Sequence, residues 1–101
     1  MNTAVILVSY QALPEQAANA RRELQVLIAT VQATEPECRG IDLLEDAADP
    51  TRFMLVERWT SPEAFFGPHM QQPHLLAFIE RAGTFLAKPP DIAHWRQVAH
   101  C

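Results

Sequence analysis

The chain has 101 residues, 49% of them apolar, and a formal net charge of -4. That length supports one domain with one core, residues 1–101, and the composition is that of a globular chain rather than a disordered one. The acidic balance gives no electrostatic ground for nucleic acid or an anionic membrane as a partner.

Ala4 to Val8 is far too short an apolar run to cross a bilayer. It also has neither the basic flank nor the cleavage site of a secretion signal, so a cytoplasmic location is expected. Cys38 and Cys101 make neither a metal-ligand spacing nor a disulfide framework. Cys38 reads as a small buried apolar residue and Cys101 as a terminal thiol.

In chain order, Thr3 to Tyr10 reads as a strand, with Val5, Ile6, Leu7 and Val8 continuously apolar. Pro14 opens a helix reaching roughly to Val31, with Ala17, Ala20, Leu24, Leu27, Ile28 and Val31 on one face. Pro36 ends it. Arg39 to Glu45 is a second strand, Asp46 to Pro50 a hairpin connection, and Arg52 to Trp59 a third strand. Ser61-Pro62-Glu63 is a helix start: a side-chain oxygen for a free amide, a proline where no amide is needed, and an acid in the first turn. Gly67-Pro68 breaks that helix. Another begins at Pro73 and is expected to bury Leu75, Phe78, Ile79, Ala82 and Leu86. Lys88 to Asp91 is a stiff linker, and Ile92 to Val98 supplies the last strand.

Strand, helix, strand, strand, helix, strand is the split βαβ order of an α+β, ferredoxin-like βαββαβ fold with a four-stranded antiparallel sheet. Two helices cover one face of such a sheet. The first and third strands are apolar on consecutive positions, so the other face needs a cover as well. A second copy of the chain is the economical one, which predicts a homodimer.

No phosphate loop, zinc-binding helix or nucleophile elbow is present, so no conventional cofactor or metal site is expected. Trp59 and His69 are the chief candidates. Trp59, at the end of the third strand, offers a flat surface with one donor, suited to stacking on a planar aromatic molecule or to ordinary packing. His69 titrates near neutrality and is the candidate general base, with a capped surface histidine as the plain alternative. His74, in a first helical turn, is a substrate-binding candidate that reads more readily as structural or interfacial, and its five-residue spacing from His69 does not suit a zinc site. Phe65 and Phe66 wall the cavity or fill the core. Ser9 and Tyr10, at the end of the first strand, are placed to hydrogen-bond a substrate oxygen. His94 and Arg96 share one face of the last strand, with Trp95 on the other. Glu57 and Arg58 face opposite sides of their strand, and one of them is expected to form an ion pair across a subunit boundary.

The segments Glu35-Pro36-Glu37-Cys38, Asp49-Pro50-Thr51-Arg52-Phe53, Glu57-Arg58-Trp59, Ser61-Pro62-Glu63-Ala64, His69 and Pro73-His74 together resemble the antibiotic biosynthesis monooxygenase family. The likeness runs from the first strand to Val98. Glu37 departs from it where the family has glycine, as does Gly67-Pro68 where the family continues its helix. The resemblance implies a dimeric α+β barrel, each sheet enclosing a cavity beneath its helices. It also implies a cofactor-independent monooxygenase that oxidises an electron-rich aromatic or quinol-type molecule with O2. Two alternatives stand beside it. One is haem degradation or haem binding, which the Trp59–His69 spacing resembles but for which the first strand lacks the asparagine. The other is a non-catalytic dimeric module that binds a small molecule.

Overall fold

A computed structural model describes residues 3–101. The first strand, β1 (Ala4–Gln11), alternates: Ala4, Ile6, Val8 and Tyr10 are buried, and the residues between them are half-buried. A single 3-10 turn (Pro14–Gln16) leads into α1 (Ala17–Thr34), which buries Ala20, Leu24, Leu27 and Val31 at helical spacing. Glu35 closes α1 with its amide on the Val31 carbonyl at 2.8 Å, and Pro36, with no amide to donate, lets the chain turn away. There follow β2 (Cys38–Asp46), β3 (Asp49–Trp59), α2 (Pro62–Phe66), a second 3-10 turn (Pro68–Gln71), α3 (Pro73–Ala82) and β4 (Asp91–Arg96).

The four strands lie in the order β2-β3-β1-β4, every neighbour antiparallel. This is the expected ferredoxin-like α+β fold. One face of the sheet packs against the helices around Trp59, Phe85, Ile6, Leu24, Leu55 and Val31, all fully buried. On the other face lie Val5, Leu7, Met54 and Val56, flanked by Leu44 at 50% and Trp95 at 58% exposure.

Three boundaries differ from the sequence reading. The hairpin connection expected over Asp46 to Pro50 shrinks to Ala47 and Ala48, with Asp46 and Asp49 paired in the ladder. The acids hold this turn instead of breaking the strands: Asp46 Oδ1 accepts from the Ala48 amide at 2.8 Å and Asp49 Oδ1 from the Thr51 amide at 3.0 Å. The helix α3 stops at Ala82, so Leu86 is buried through a strand-like bridge to Ala12, while Ile79 is 53% exposed. The last strand runs from Asp91 to Arg96 and leaves Val98 87% exposed.

The segment between β3 and α3 sets the position of His69. Ser61 Oγ accepts from the Ala64 amide at 3.1 Å and Pro62 opens α2, as the sequence signal requires. The helix lasts five residues, because the Gly67 amide closes on the Glu63 carbonyl and Pro68 cannot continue the ladder. A Cβ at Gly67 would stand 2.8 Å from that carbonyl oxygen, so glycine is what permits so tight a reversal. The chain re-enters as the 3-10 turn with His69 pointing inward.

Candidate functional site

The helices and the sheet enclose a cavity of about 500 Å³. Its walls are mostly apolar, from Val8 and Leu55 on the sheet to Leu27, Val31, Leu75 and Phe78 on the helices. Three buried polar side chains interrupt them, Tyr10, Glu57 and His69, with exposures of 7%, 3% and 4%, and the exposed Lys88 also lines the cavity.

Their positions follow from strand alternation. Phe53, Leu55, Glu57 and Trp59 are successive inward residues of β3, so a carboxylate stands where an apolar side chain would ordinarily be. Tyr10 is opposite Phe53 in the ladder and Glu57 is opposite Ile6. The two polar groups therefore sit about four residues apart along the sheet, roughly 13 Å between backbones. His69 enters from the helical side.

Glu35 governs the histidine. Its carboxylate, 7% exposed, accepts from His69 Nδ1, which is 3.0 Å from both oxygens, and from His74 Nε2 at 2.6 Å. An ionised carboxylate only accepts hydrogen bonds, so His69 carries its proton on Nδ1 and leaves Nε2 as a lone pair. Burial pulls the His69 pKa below its ordinary 6.5, and this outweighs the opposing pull of Glu35. Trp59 packs against the imidazole at 4.6 Å between ring centres with the two planes tilted by 52°, and Phe65 flanks it at 5.1 Å.

The Trp59 indole turns to a different partner, donating from Nε1 to Glu57 Oε1 at 2.9 Å. Burial pushes the Glu57 carboxyl up from 4.5 to about 7; the indole hydrogen bond opposes this and the charge of Glu35 adds to it. Tyr10 is likewise pushed upward, by burial first and by Glu57 second. The resulting centre pairs a neutral imidazole base with a carboxyl that keeps its proton to near neutrality, both against one indole ring.

The structure does not gather every candidate from the sequence. His69, Phe65 and Tyr10 line the cavity. Trp59 lies behind His69 and lines instead a hollow of about 120 Å³ beside Glu35. His74 does not reach the cavity; it binds Glu35 from the first turn of α3. Ser9 falls on the opposite face of the sheet, its hydroxyl 3.5 Å from Met54 Sδ, because β1 alternates. Phe66 is 50% exposed and packs edge-on to Phe65. His94 and Arg96 lie on the helix side of β4, opposite Ile6 and Ala4, and Trp95 is opposite Val5 on the open side. Among the described residues, no cluster of three or more His, Cys, Asp or Glu is arranged to hold a metal, and no helix is long and apolar enough to cross a membrane.

Sequence reasoning did not single out Glu35 or Glu57 as site residues. Glu57 was legible as a carboxylate in the inward series of β3, although only the ladder fixes that series as inward. Of Glu57 and Arg58, one of which is expected to pair across a subunit boundary, Glu57 is enclosed and Arg58 is exposed.

A four-stranded ferredoxin-like sheet with an apolar cavity and an imidazole at its wall defines a class of small α+β proteins. The sequence profile described as antibiotic biosynthesis monooxygenase matches residues 3–81, and the chain belongs to that family. The crystal structure of PA3566 from Pseudomonas aeruginosa superposes with a TM-score of 0.87 at 25% identity, covering 98% of this chain and 97% of the other. Rv0793 from Mycobacterium tuberculosis shares the fold with a TM-score of 0.84 at 23% identity, covering 97% of each chain. Among curated proteins, the uncharacterized protein sll1783 of Synechocystis sp. (strain ATCC 27184 / PCC 6803 / Kazusa) is 32% identical over 59 residues. That match takes in 58% of this chain and spans only 40% of the length of that relative.

The proton on Glu57 gives a pH signature. A carboxyl whose folded pKa exceeds its ordinary 4.5 contributes stability that is full below pH 4.5 and lost as the pH rises through about 7. Glu57→Gln, which preserves an acceptor for the Trp59 indole, should match the wild type in stability near pH 4.5. By pH 8 it should exceed it by about 3 kcal/mol, as urea unfolding at both values would measure. Equal stability at pH 8 would mean that Glu57 is not held protonated by burial.

Proposed function

We propose that this chain is a homodimeric, cofactor-independent monooxygenase acting on an electron-rich aromatic or quinol-type molecule with O2. The observation that carries the reading is the neutral His69, held by Glu35 through Nδ1, at the wall of an apolar cavity of about 500 Å³. Such a base takes a phenolic or anthrone proton, and the water-poor cavity holds the resulting anion in a form that reduces oxygen. The substrate supplies the electrons, one oxygen atom enters the product and the other leaves as water. Phe65 excludes water from the reacting end, and Trp59 packs tilted against the imidazole that Glu35 holds. Family membership supports the reaction class.

The test is oxygen consumption by the purified protein across a panel of hydroquinones and anthrones with a metal chelator present. At least one substrate should be oxidised, and His69→Ala should slow its turnover about a hundredfold, the scale of losing a general base. A panel that consumes no oxygen, or a fully active His69→Ala, would contradict the assignment.

The dimer is supported by the uncovered side of the sheet, where Val5, Leu7, Met54, Val56, Leu44 and Trp95 form an apolar surface without a layer of its own. Sedimentation at micromolar concentration should give twice the chain mass of 11.4 kDa. A clean monomer would remove the dimer from the account.

A further inference from the structure

Among the described residues, every polar side-chain atom of the cavity wall either has a protein partner or faces open space. Among the described residues, no buried polar side-chain atom is both sealed and unpaired. Yet, counting bonds among the described residues, three of the least exposed polar side chains use only part of their hydrogen-bonding capacity. His69 spends Nδ1 on Glu35 and makes no bond through Nε2. Glu57 receives the Trp59 indole on Oε1 and makes no bond through Oε2. Tyr10 packs edge-on against Phe78 at 6.1 Å, and its hydroxyl has no partner. All three line the same cavity, so their unspent atoms open into it. The rest of the wall is apolar apart from the exposed Lys88, so water or a ligand entering the cavity is what satisfies them.

The two atoms at the Trp59 end have opposite needs. His69 Nε2 has a lone pair and accepts, because Nδ1 holds the proton against Glu35. A Glu57 carboxyl that retains its proton donates through Oε2, because Oε1 already accepts from the indole. Both side chains touch the same indole ring, Glu57 through its 2.9 Å hydrogen bond and His69 through a tilted ring contact at 4.6 Å between centres. One small molecule can therefore meet both. We infer that Glu57 and His69 form a donor–acceptor pair selecting planar ligands that carry a hydroxyl beside a carbonyl oxygen, the hydroxyl hydrogen-bonding to His69 Nε2 and the carbonyl accepting from Glu57. This deepens the proposed use of the site by specifying the oxygen pattern of its substrate, and it rests on that reading for the role of His69. Tyr10, whose backbone lies roughly 13 Å along the sheet from that of Glu57, adds a third polar group to the same wall.

The pair has a pH limit that the hydroxyl–carbonyl pattern makes readable. Glu57 loses its donor proton as the pH passes about 7. The charged and titratable groups around it come from every neighbouring element. They are Tyr10 on β1, Glu35 after α1, Cys38 on β2, His69 on the 3-10 turn with His74 behind Glu35, and Lys88 and His94 on the linker and β4. The cavity faces of α1, α2 and α3 are apolar there, with Leu27, Val31, Phe65, Leu75 and Phe78. Burial pushes the Tyr10 phenol and the Cys38 thiol upward from 10.0 and 9.0, and it pulls His69 downward, so none of these three changes charge just above neutrality.

The probe is 3-hydroxyflavone, a fused-ring molecule with a hydroxyl beside its carbonyl, compared with 3-methoxyflavone, which lacks the donor. Fluorescence titration of the full chain should show 3-hydroxyflavone bound at pH 6 at least tenfold more tightly than the methoxy compound. Its affinity should fall about tenfold between pH 6 and pH 8.5 as Glu57 ceases to donate. Glu57→Gln keeps an amide donor at every pH and should hold its pH 6 affinity at pH 8.5. A flat wild-type profile, a slope that survives Glu57→Gln, equal affinity for the two flavones, or no binding of either would each overturn the pair. Oxygen uptake is a separate readout. A protein that shows the Glu57-dependent slope and consumes no oxygen retains the donor–acceptor pair and loses the oxygenase reading; the reverse result does the opposite.

Discussion

The Glu35 carboxylate is the contact on which the site depends. It stands at the end of α1, nearly sealed from solvent, and joins two imidazoles from two other segments. His69 comes from the short 3-10 turn and His74 from the first turn of α3, so one side chain fastens three stretches of chain. Hydrogen bonds to a charged group contribute on the order of 1.5–3 kcal/mol each, and removing one partner leaves the others buried and unsatisfied. Without Glu35, neither the tautomer nor the plane of the His69 ring is defined. The cavity would still exist, but its base would not.

A second carboxylate stands in a different setting only one indole away. Glu35 is met by two imidazoles, whereas Glu57 receives a single indole hydrogen bond and is otherwise desolvated, which lifts its pKa to about 7. Burial that drives both His69 and Glu57 toward their neutral forms is how one small cavity comes to offer an acceptor and a donor together. Trp59 is the hinge of that division. It packs at a tilt against the base and hydrogen-bonds to the acid, and it does so from behind the cavity wall. A tryptophan at this position acts through its two neighbours as much as through any ligand.

The architecture was legible because its signals are local. Continuous apolar runs marked β1 and β3, helical spacing marked α1 and α3, and Ser61-Pro62-Glu63 marked the start of α2. The site was legible in part. His69 stood out by residue type, and Gly67-Pro68 was visible as a break, but the direction in which that break turns His69 is decided by contacts with Glu35 and Trp59 that are distant in sequence. Glu35 beside Pro36 looks like a solvent-facing helix end, since burial of a helix-terminal carboxylate depends on which segments fold over it. His69 and His74, five apart, share no helix face. They nevertheless converge on one carboxylate because the 3-10 turn ends between them and a new helix axis begins at Pro73. Ser9 and Tyr10 illustrate the register limit: adjacent residues on one strand point to opposite faces, and only the ladder shows that Tyr10 is the inward one.

The central claim is that Glu35 fixes His69 as a neutral imidazole with its proton on Nδ1 and its lone pair toward the cavity. Nitrogen-15 NMR of the histidine side chains at pH 7 measures this directly, because the shifts and two-bond couplings of the ring nitrogens distinguish the two neutral tautomers and the imidazolium. The account predicts the Nδ1-protonated tautomer for His69, with Nε2 unprotonated, and loss of that single tautomer in Glu35→Ala. A His69 protonated on Nε2 alone, or an imidazolium at pH 7, would contradict it.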